Sequence, residues 1–279
     1  MIVESFGATL ARTNRVSPTT LEFQFVRKDG RPVLYQPGQF FRFDFRDQGE
    51  SFERSYSIAT CNETPGSSSN LDLLISYVEG GKASQYLFKA EPGIDCAVKG
   101  PFGNLLIPAK LPRRLIMVAT SVGIAPYLPM LLQLEPLLQE GQLQESPLHV
   151  EFIFGVRSRE EFLYAKMLQE YAAAHARFNL SVCYSRQQPS GAFEHAGYVQ
   201  DRLMEMELDP QGDHVLLCGN PVMIDAAFSM LAEKGFGISN VTREKYAFAR
   251  ETTPVTQQQL SVEQKKLIAE KLLKHRRDS

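Results

Sequence analysis

AKLPRRLIMVATSVGIAP, residues 109–126, is where the chain changes its hydrophobic period. Downstream of Arg113 come continuous apolar runs, LIMVA, FIFGV, LSVCY and VLLC, alternating with helical stretches. Such runs are strands buried on both faces, and their alternation with helices is the βα signature of a parallel sheet. Upstream the pattern is strict alternation: Leu21, Phe23 and Phe25 against Glu22 and Gln24, then Phe41, Phe43 and Phe45 against Arg42, Asp44 and Arg46. One face of each strand is therefore buried and the other wet.

Further short runs, LDLLISYV and IDCAVKG, are separated by turn signals at YQPGQ, ETPGSSSN, EPG and GPFG, a spacing that fits an antiparallel barrel or sandwich. The expected organisation is a barrel over 1–110, an α/β parallel-sheet domain over 111–248, and a linker with one helix over 249–279. Local signals place helix starts at Ser158, where SREE reads as a capping box, and at Asn220 with Pro221 in the first turn; Gly235 is the expected stop. A helix is expected at Tyr127 to Leu138, and a second capping box, SVEQ, opens at Ser261.

With 279 residues, 43% apolar and 22% charged, the chain can bury a substantial core. A net charge of −2 provides no field for general nucleic-acid binding. Cys61, Cys96, Cys183 and Cys218 form no CxxC pair, so neither an iron–sulfur cluster nor a structural zinc is suggested and no metal is expected. The N-terminal MIVESFGATLAR lacks a basic start and an apolar run, and no stretch approaches the roughly 20 apolar residues of a membrane helix, which leads to the expectation of a soluble, cytoplasmic protein. Oligomeric state is not legible.

ERSYSIAT, residues 53–60, places Arg54 and Tyr56 on one face of a strand and Ser57 on the other. By residue type they fit either a flat anionic ligand, with Arg54 on a phosphate and Tyr56 stacked on a ring, or the solvated face of a strand. EGGKASQYL fits either a pyrophosphate site with free backbone N–H groups or an ordinary strand-to-helix turn. VATSVGIAP occupies the strand–turn–helix position where α/β sheets bind nucleotides, and Gly155-Val156-Arg157, Ser185-Arg186 and Cys218-Gly219-Asn220 fall at the carboxyl ends of the following strands.

In order, RSYS, GGKAS, GPFG, ATSVGIAP, GVRSREEFLY and CGNPVMI resemble the ferredoxin–NADP reductase family across nearly all of Val3 to Phe248. The resemblance implies an antiparallel Greek-key β-barrel that binds FAD, followed by an α/β domain with a five-stranded parallel sheet that binds NADP. It implies that Arg54 binds the FAD phosphates with Ser55 beside it. Tyr56 would then stack on the isoalloxazine, and Ser57 hydrogen-bond the ring nitrogen that accepts hydride. It places Lys82, Ala83 and Ser84 at the pyrophosphate, and Thr120, Tyr246 and Phe248 around the flavin. Thr120, Gly123 and Pro126 become the nicotinamide-side loop, and Val156, Arg157, Ser185 and Arg186 the pocket for the adenosine 2′-phosphate. Cys218, Gly219 and Asn220 become the floor under the nicotinamide, with Ser57 and Cys218 the catalytic pair. Family members usually read GTGIAP where this chain has Ser121-Val122-Gly123, and the HAGYVQDRL segment around Tyr198 lacks an arginine that bacterial NADP enzymes often carry.

The implied activity is electron transfer between NADPH, with NADH possible, and a one-electron carrier, ferredoxin or flavodoxin. Arg42, Arg46 or Lys99 would meet a negative partner surface. The alternatives are an NADH-dependent reductase of an oxygenase or of free flavin, and an FAD-bearing electron-transfer subunit without activity of its own.

Overall fold

The computed structural model describes residues 2–61, 64–139 and 147–246. Among the described residues eight strands precede residue 110: β1 (Glu4–Ser17), β2 (Thr20–Arg27), β3 (Val33–Leu34), β4 (Phe40–Asp47), β5 (Glu50–Ser57), β6 (Ser67–Ser68), β7 (Asn70–Ser76) and β8 (Asp95–Phe102). Six form one antiparallel sheet in the order β5-β4-β8-β1-β2-β7, and β3 pairs with β6. The alternation read from the sequence sorts the faces: Phe23, Phe25, Phe41, Phe43 and Phe45 are buried and Arg42, Asp44 and Arg46 exposed. Phe25 lies 5.4 Å from Phe43, and Phe43 stacks on Phe45 at 6.1 Å. Aromatic neighbours of this kind supply most of the apolar area that holds a small sheet together.

The sheet curls until its two edges meet. Ala59 N donates to Asp72 O at 2.8 Å, and Asp72 N donates to Thr60 Oγ1 at 2.8 Å, so the chain leaving β5 occupies the otherwise bare edge of β7. Gly100-Pro101-Phe102, expected as a turn, instead continues β8, with Gly100 opposite Glu4 and Phe102 opposite Phe40. A side chain at Gly100 would meet the Phe41 ring at 2.4 Å, which is why the small residue sits within a strand. The short helix α1 (Lys82–Leu87) lies between β7 and β8.

The second sheet is parallel: β9 (Arg114–Thr120), β10 (His149–Val156), β11 (Phe178–Tyr184), β12 (Glu194–Ala196), β13 (Asp213–Gly219) and β14 (Val241–Lys245), in the order β12-β11-β10-β9-β13-β14. Among the described residues it has six strands where the family resemblance implied five, with the three-residue Glu194–Ala196 at one edge. The helices are α2 (Tyr127–Leu138), α3 (Ala165–Ala174), α4 (Val199–Met204) and α5 (Pro221–Glu233). Leu115 to Ala119 of the central strand are completely buried, with separate apolar clusters on the two faces of the sheet.

Asn220 caps α5 as expected, its Oδ1 accepting from Val222 N at 2.8 Å with Pro221 in the first turn, and Gly235 follows the helix at φ +89°. Ser158 does not cap a helix. Arg159–Glu161 is a 3-10 turn without a side-chain cap, because the Glu161 carboxylate that would complete the box is taken by Arg157; α3 starts only at Ala165. Phe248 and the expected linker and helix at 249–279, including the SVEQ box, lie outside the described residues.

At the amino ends of the parallel strands Asp213, 3% exposed, accepts from Arg114 Nε at 3.0 Å, Arg114 Nη2 at 2.5 Å and Asp209 N at 2.8 Å. Removing one member of a buried pair leaves the other uncompensated, so Asp213→Ala is expected to destabilise the protein by about 3 kcal/mol in urea unfolding.

Candidate functional site

The strand register settles which way Arg54 and Tyr56 point. Tyr56 is opposite Phe41 and Arg54 opposite Phe43, so both share the face that carries the barrel's buried phenylalanines and do not belong to a solvated face. Tyr56 meets Phe43 edge-on at 5.8 Å, and burial raises its phenol above the ordinary range. Arg54 Nη1 donates to Glu53 O at 2.7 Å. The Arg54 guanidinium and the Lys82 ammonium each stand 5.5 Å from the Phe52 ring, which gathers two cations beside β5 at the start of α1. Lys82 meanwhile pairs with Glu50 at 2.6 Å. Ser55 is exposed on the opposite face, while Ala83 packs on the barrel core. Ser84 is buried and its hydroxyl accepts from Val78 N at 2.9 Å, so its side chain is turned into the protein.

Ser57, on the other face of β5, donates to Glu244 Oε1 at 2.9 Å. Glu244 lies on β14 opposite Cys218. Burial raises the Glu244 carboxyl to about 7, against the opposing pull of the Ser57 hydrogen bond. Cys218 is completely buried and its thiol is pushed well up by desolvation. Tyr246 N donates to Gly219 O at 3.0 Å, and the Tyr246 hydroxyl is buried with no hydrogen-bond partner among the described residues. Ser57, Glu244, Cys218 and Tyr246 thus gather where the barrel meets the last strands of the parallel sheet. Sequence reasoning missed Glu244: TREK has the look of an exposed edge strand, and the only available cue was its i, i+2 relation to Tyr246.

A cleft of about 560 Å³ opens along the carboxyl ends of the parallel strands and is walled on the barrel side by Ser76 to Val78. Thr120, Val156, Arg157, Ser185, Gly219, Asn220 and Tyr246 all line it. Gly123 and Cys218 lie beneath the wall: a side chain at Gly123 would fall 2.5 Å from Cys218 O. Gly219 has φ +128° and would carry a Cβ 2.3 Å from Thr120 Oγ1, which itself accepts from Asn220 N at 3.0 Å. Ser121, which replaces the family's usual glycine, keeps a left-handed backbone at φ +52° and faces the cleft.

Arg157 borders the cleft but is held in a two-pronged pair with Glu161, one prong being Nε to Oε2 at 2.7 Å. Arg186 is exposed, its N donating to Arg157 O at 3.0 Å, and it does not line the cleft; nor does Pro126. Tyr198, 61% exposed at the lip, is a further wall residue that sequence reasoning did not place there.

Residues 7–107 match the model of the oxidoreductase FAD-binding domain and residues 117–228 that of the oxidoreductase NAD-binding domain. Ferredoxin--NADP reductase B of Sorangium cellulosum (strain So ce56) is 30% identical over 247 residues, which is 86% of this chain and 95% of that protein. The toluate 1,2-dioxygenase electron transfer component of Pseudomonas putida is 25% identical over 243 residues, 87% of this chain and 68% of that protein. The crystal structure of a ferredoxin NADP+ reductase from Neisseria gonorrhoeae with bound FAD and NADP has the same fold, with a TM-score of 0.72 over 86% of this chain and 98% of that one at 20% identity. The chain belongs to the ferredoxin–NADP reductase family. It is an FAD-dependent oxidoreductase of the ferredoxin-reductase type, binding FAD and a nicotinamide dinucleotide.

Because backbone atoms of Cys218 and Gly219 occupy the space a Gly123 side chain would need, Gly123→Ala must displace one loop from the other. The expected outcome is a loss of about 2 kcal/mol in stability with a raised KM for the nicotinamide coenzyme.

Proposed function

We propose that the protein transfers electrons between NADPH and a separate one-electron carrier, ferredoxin or flavodoxin, in the cytoplasm, with a barrel to about residue 110 holding FAD and 111–248 holding the coenzyme. The observation that carries this reading is the Ser57–Glu244 bond, which joins the strand bearing Arg54 and Tyr56 to the strand beside Cys218. Arg54, Lys82 and the main chain at Ala83 and Ser84 suit the FAD phosphates; two cations beside one strand are what a diphosphate requires. Tyr56 suits the flavin ring, with Ser55, Thr120, Tyr246 and Phe248 around it. Thr120, Gly219 and Asn220 suit the nicotinamide side, with Gly123, Pro126 and Cys218 as support beneath them, and Val156, Arg157 and Ser185, with Arg186 exposed beside the cleft, suit the adenosine side.

Bound flavin supplies the conversion between a hydride and two single electrons. The chain's own residues align the reactants and exclude water: Gly219 leaves the floor free of a side chain above the buried Cys218, and Tyr246 lines the cleft beside it. Glu244 holds a proton on its carboxyl below about pH 7, one hydrogen bond from the Ser57 hydroxyl, so the pair can store a proton at the barrel–sheet junction.

The relative from an oxygenase system supports a second reading, an NADH-using reductase for such a partner, and the engagement of Arg157 by Glu161 is the structural observation in its favour. The absorbance spectrum of the purified protein before and after NADPH or NADH, with and without ferredoxin, separates the readings. A flavin bleached preferentially by NADPH, with subsequent carrier reduction, is expected; a colourless protein that does not take up FAD would sink both.

Arg54→Ala is expected to weaken FAD binding roughly tenfold, as loss of one charge-assisted phosphate contact does, measured by flavin release on dilution. For Glu244, the folded carboxyl titrates near 7 against 4.5 for the free side chain, so the folded state binds the extra proton between those values. Stability therefore falls as pH rises across that window, and carrier reduction should decline through about pH 7. In Glu244→Gln both slopes should flatten.

A further inference from the structure

At the carboxyl end of β11 the chain runs from Ser185 and Arg186 through a loop to β12, and one residue of a different connection organises that loop. Arg159, from the 3-10 turn after β10, donates through Nη2 to Gln188 O at 3.2 Å and to Ser190 Oγ at 2.6 Å. Its Nε donates to Glu194 Oε1 at 3.1 Å, with a second, closer bond from Nη2 to Glu194 Oε2. Its backbone N–H takes Gln187 Oε1 at 2.8 Å, and its guanidinium lies 5.1 Å from the Tyr184 ring. Glu194 adds bonds from Ser190 N at 2.6 Å, Gly191 N at 3.1 Å and Tyr184 Oη at 3.2 Å. Its side chain is only 7% exposed, so the carboxylate lies under the loop and turns no charge toward the cleft. The guanidinium of Arg159 holds the carboxyl down to about 2, which keeps the pair ionised at any working pH.

We infer that Arg159 and Glu194 are positioning residues for coenzyme selection: their clamp pre-forms the Ser185–Ser190 loop so that Arg186 is presented to the 2′-phosphate of NADPH. A loop left loose would have to be ordered at the moment of binding, and every residue fixed then costs conformational entropy. That cost falls on the coenzyme that uses the loop, and NADH, which has no 2′-phosphate, escapes most of it. Arg159 directs Nε and Nη2 at Glu194, Ser190 and Gln188, so its part is to hold the loop, and Arg186 is the residue left to meet the phosphate.

The inference rests on the proposed coenzyme reading, and the test keeps the two apart. Flavin-loaded Arg159→Met, Glu194→Gln and Arg186→Ala variants are compared with the parent for KM and kcat with each coenzyme, flavin content serving as the check on folding. Expected are rises of about fivefold in KM for NADPH in Arg159→Met and Glu194→Gln, with KM for NADH and both kcat values little changed. If Glu194→Gln instead lowers KM for NADPH, a freed Arg159 is binding the phosphate and the clamp role is wrong. If Arg186→Ala separates the coenzymes but the other two variants shift both equally or not at all, the inference falls while the coenzyme reading stands. If Arg186→Ala also shifts both equally, the coenzyme reading falls and takes the inference with it.

Discussion

Between the turn that follows β9 and the end of β13 there is no room for a side chain. Gly123 faces Cys218 O, Gly219 faces Thr120, and Thr120 Oγ1 closes the contact by accepting from Asn220 N. Backbone has to lie on backbone here, and that fixes three things together. It sets the depth of the cleft floor, brings Tyr246 back through its bond to Gly219 O, and leaves Glu244 on the adjacent strand facing Ser57 of the barrel. The junction between the sheets inherits its geometry from this glycine contact.

Charge around the site is distributed in pairs. Lys82 has Glu50, Arg157 has Glu161 and Arg159 has Glu194, and in each case the carboxylate holds a cation in a defined place. The pairs are not equivalent, because exposure decides their strength. The Glu50 side chain is 77% exposed and yields Lys82 readily to a competing anion, whereas Glu194 at 7% does not yield Arg159. The same principle separates Glu244 from those three carboxylates: among the described residues it has a hydroxyl for a partner and no cation, so desolvation governs its titration.

Much of this was legible where the signal is local. The ends of α2 and the cap of α5 follow from strand–turn–helix punctuation and from Asn220 with Pro221, and the faces of β2 and β4 follow from alternation. Ser158 shows the limit of local reading. The box pattern was present, but Arg157 offered Glu161 a charged partner that a backbone N–H could not match. Arg54 and Tyr56 were ambiguous until the register with Phe43 and Phe41 chose their face. Glu244 and the Arg159–Glu194 clamp were invisible because their meaning lies in partners that are remote in sequence.

The Ser57–Glu244 bond joins residues 187 apart in the chain. During synthesis the barrel strands, the two cations beside Phe52 and the Tyr56 face are available long before β14 has been made. A growing chain can therefore assemble the cation-bearing half of the site early, while the junction with Glu244 closes only after the last strand has added to β13. Order of assembly thus leaves the barrel–sheet junction open to solvent until the parallel sheet is finished.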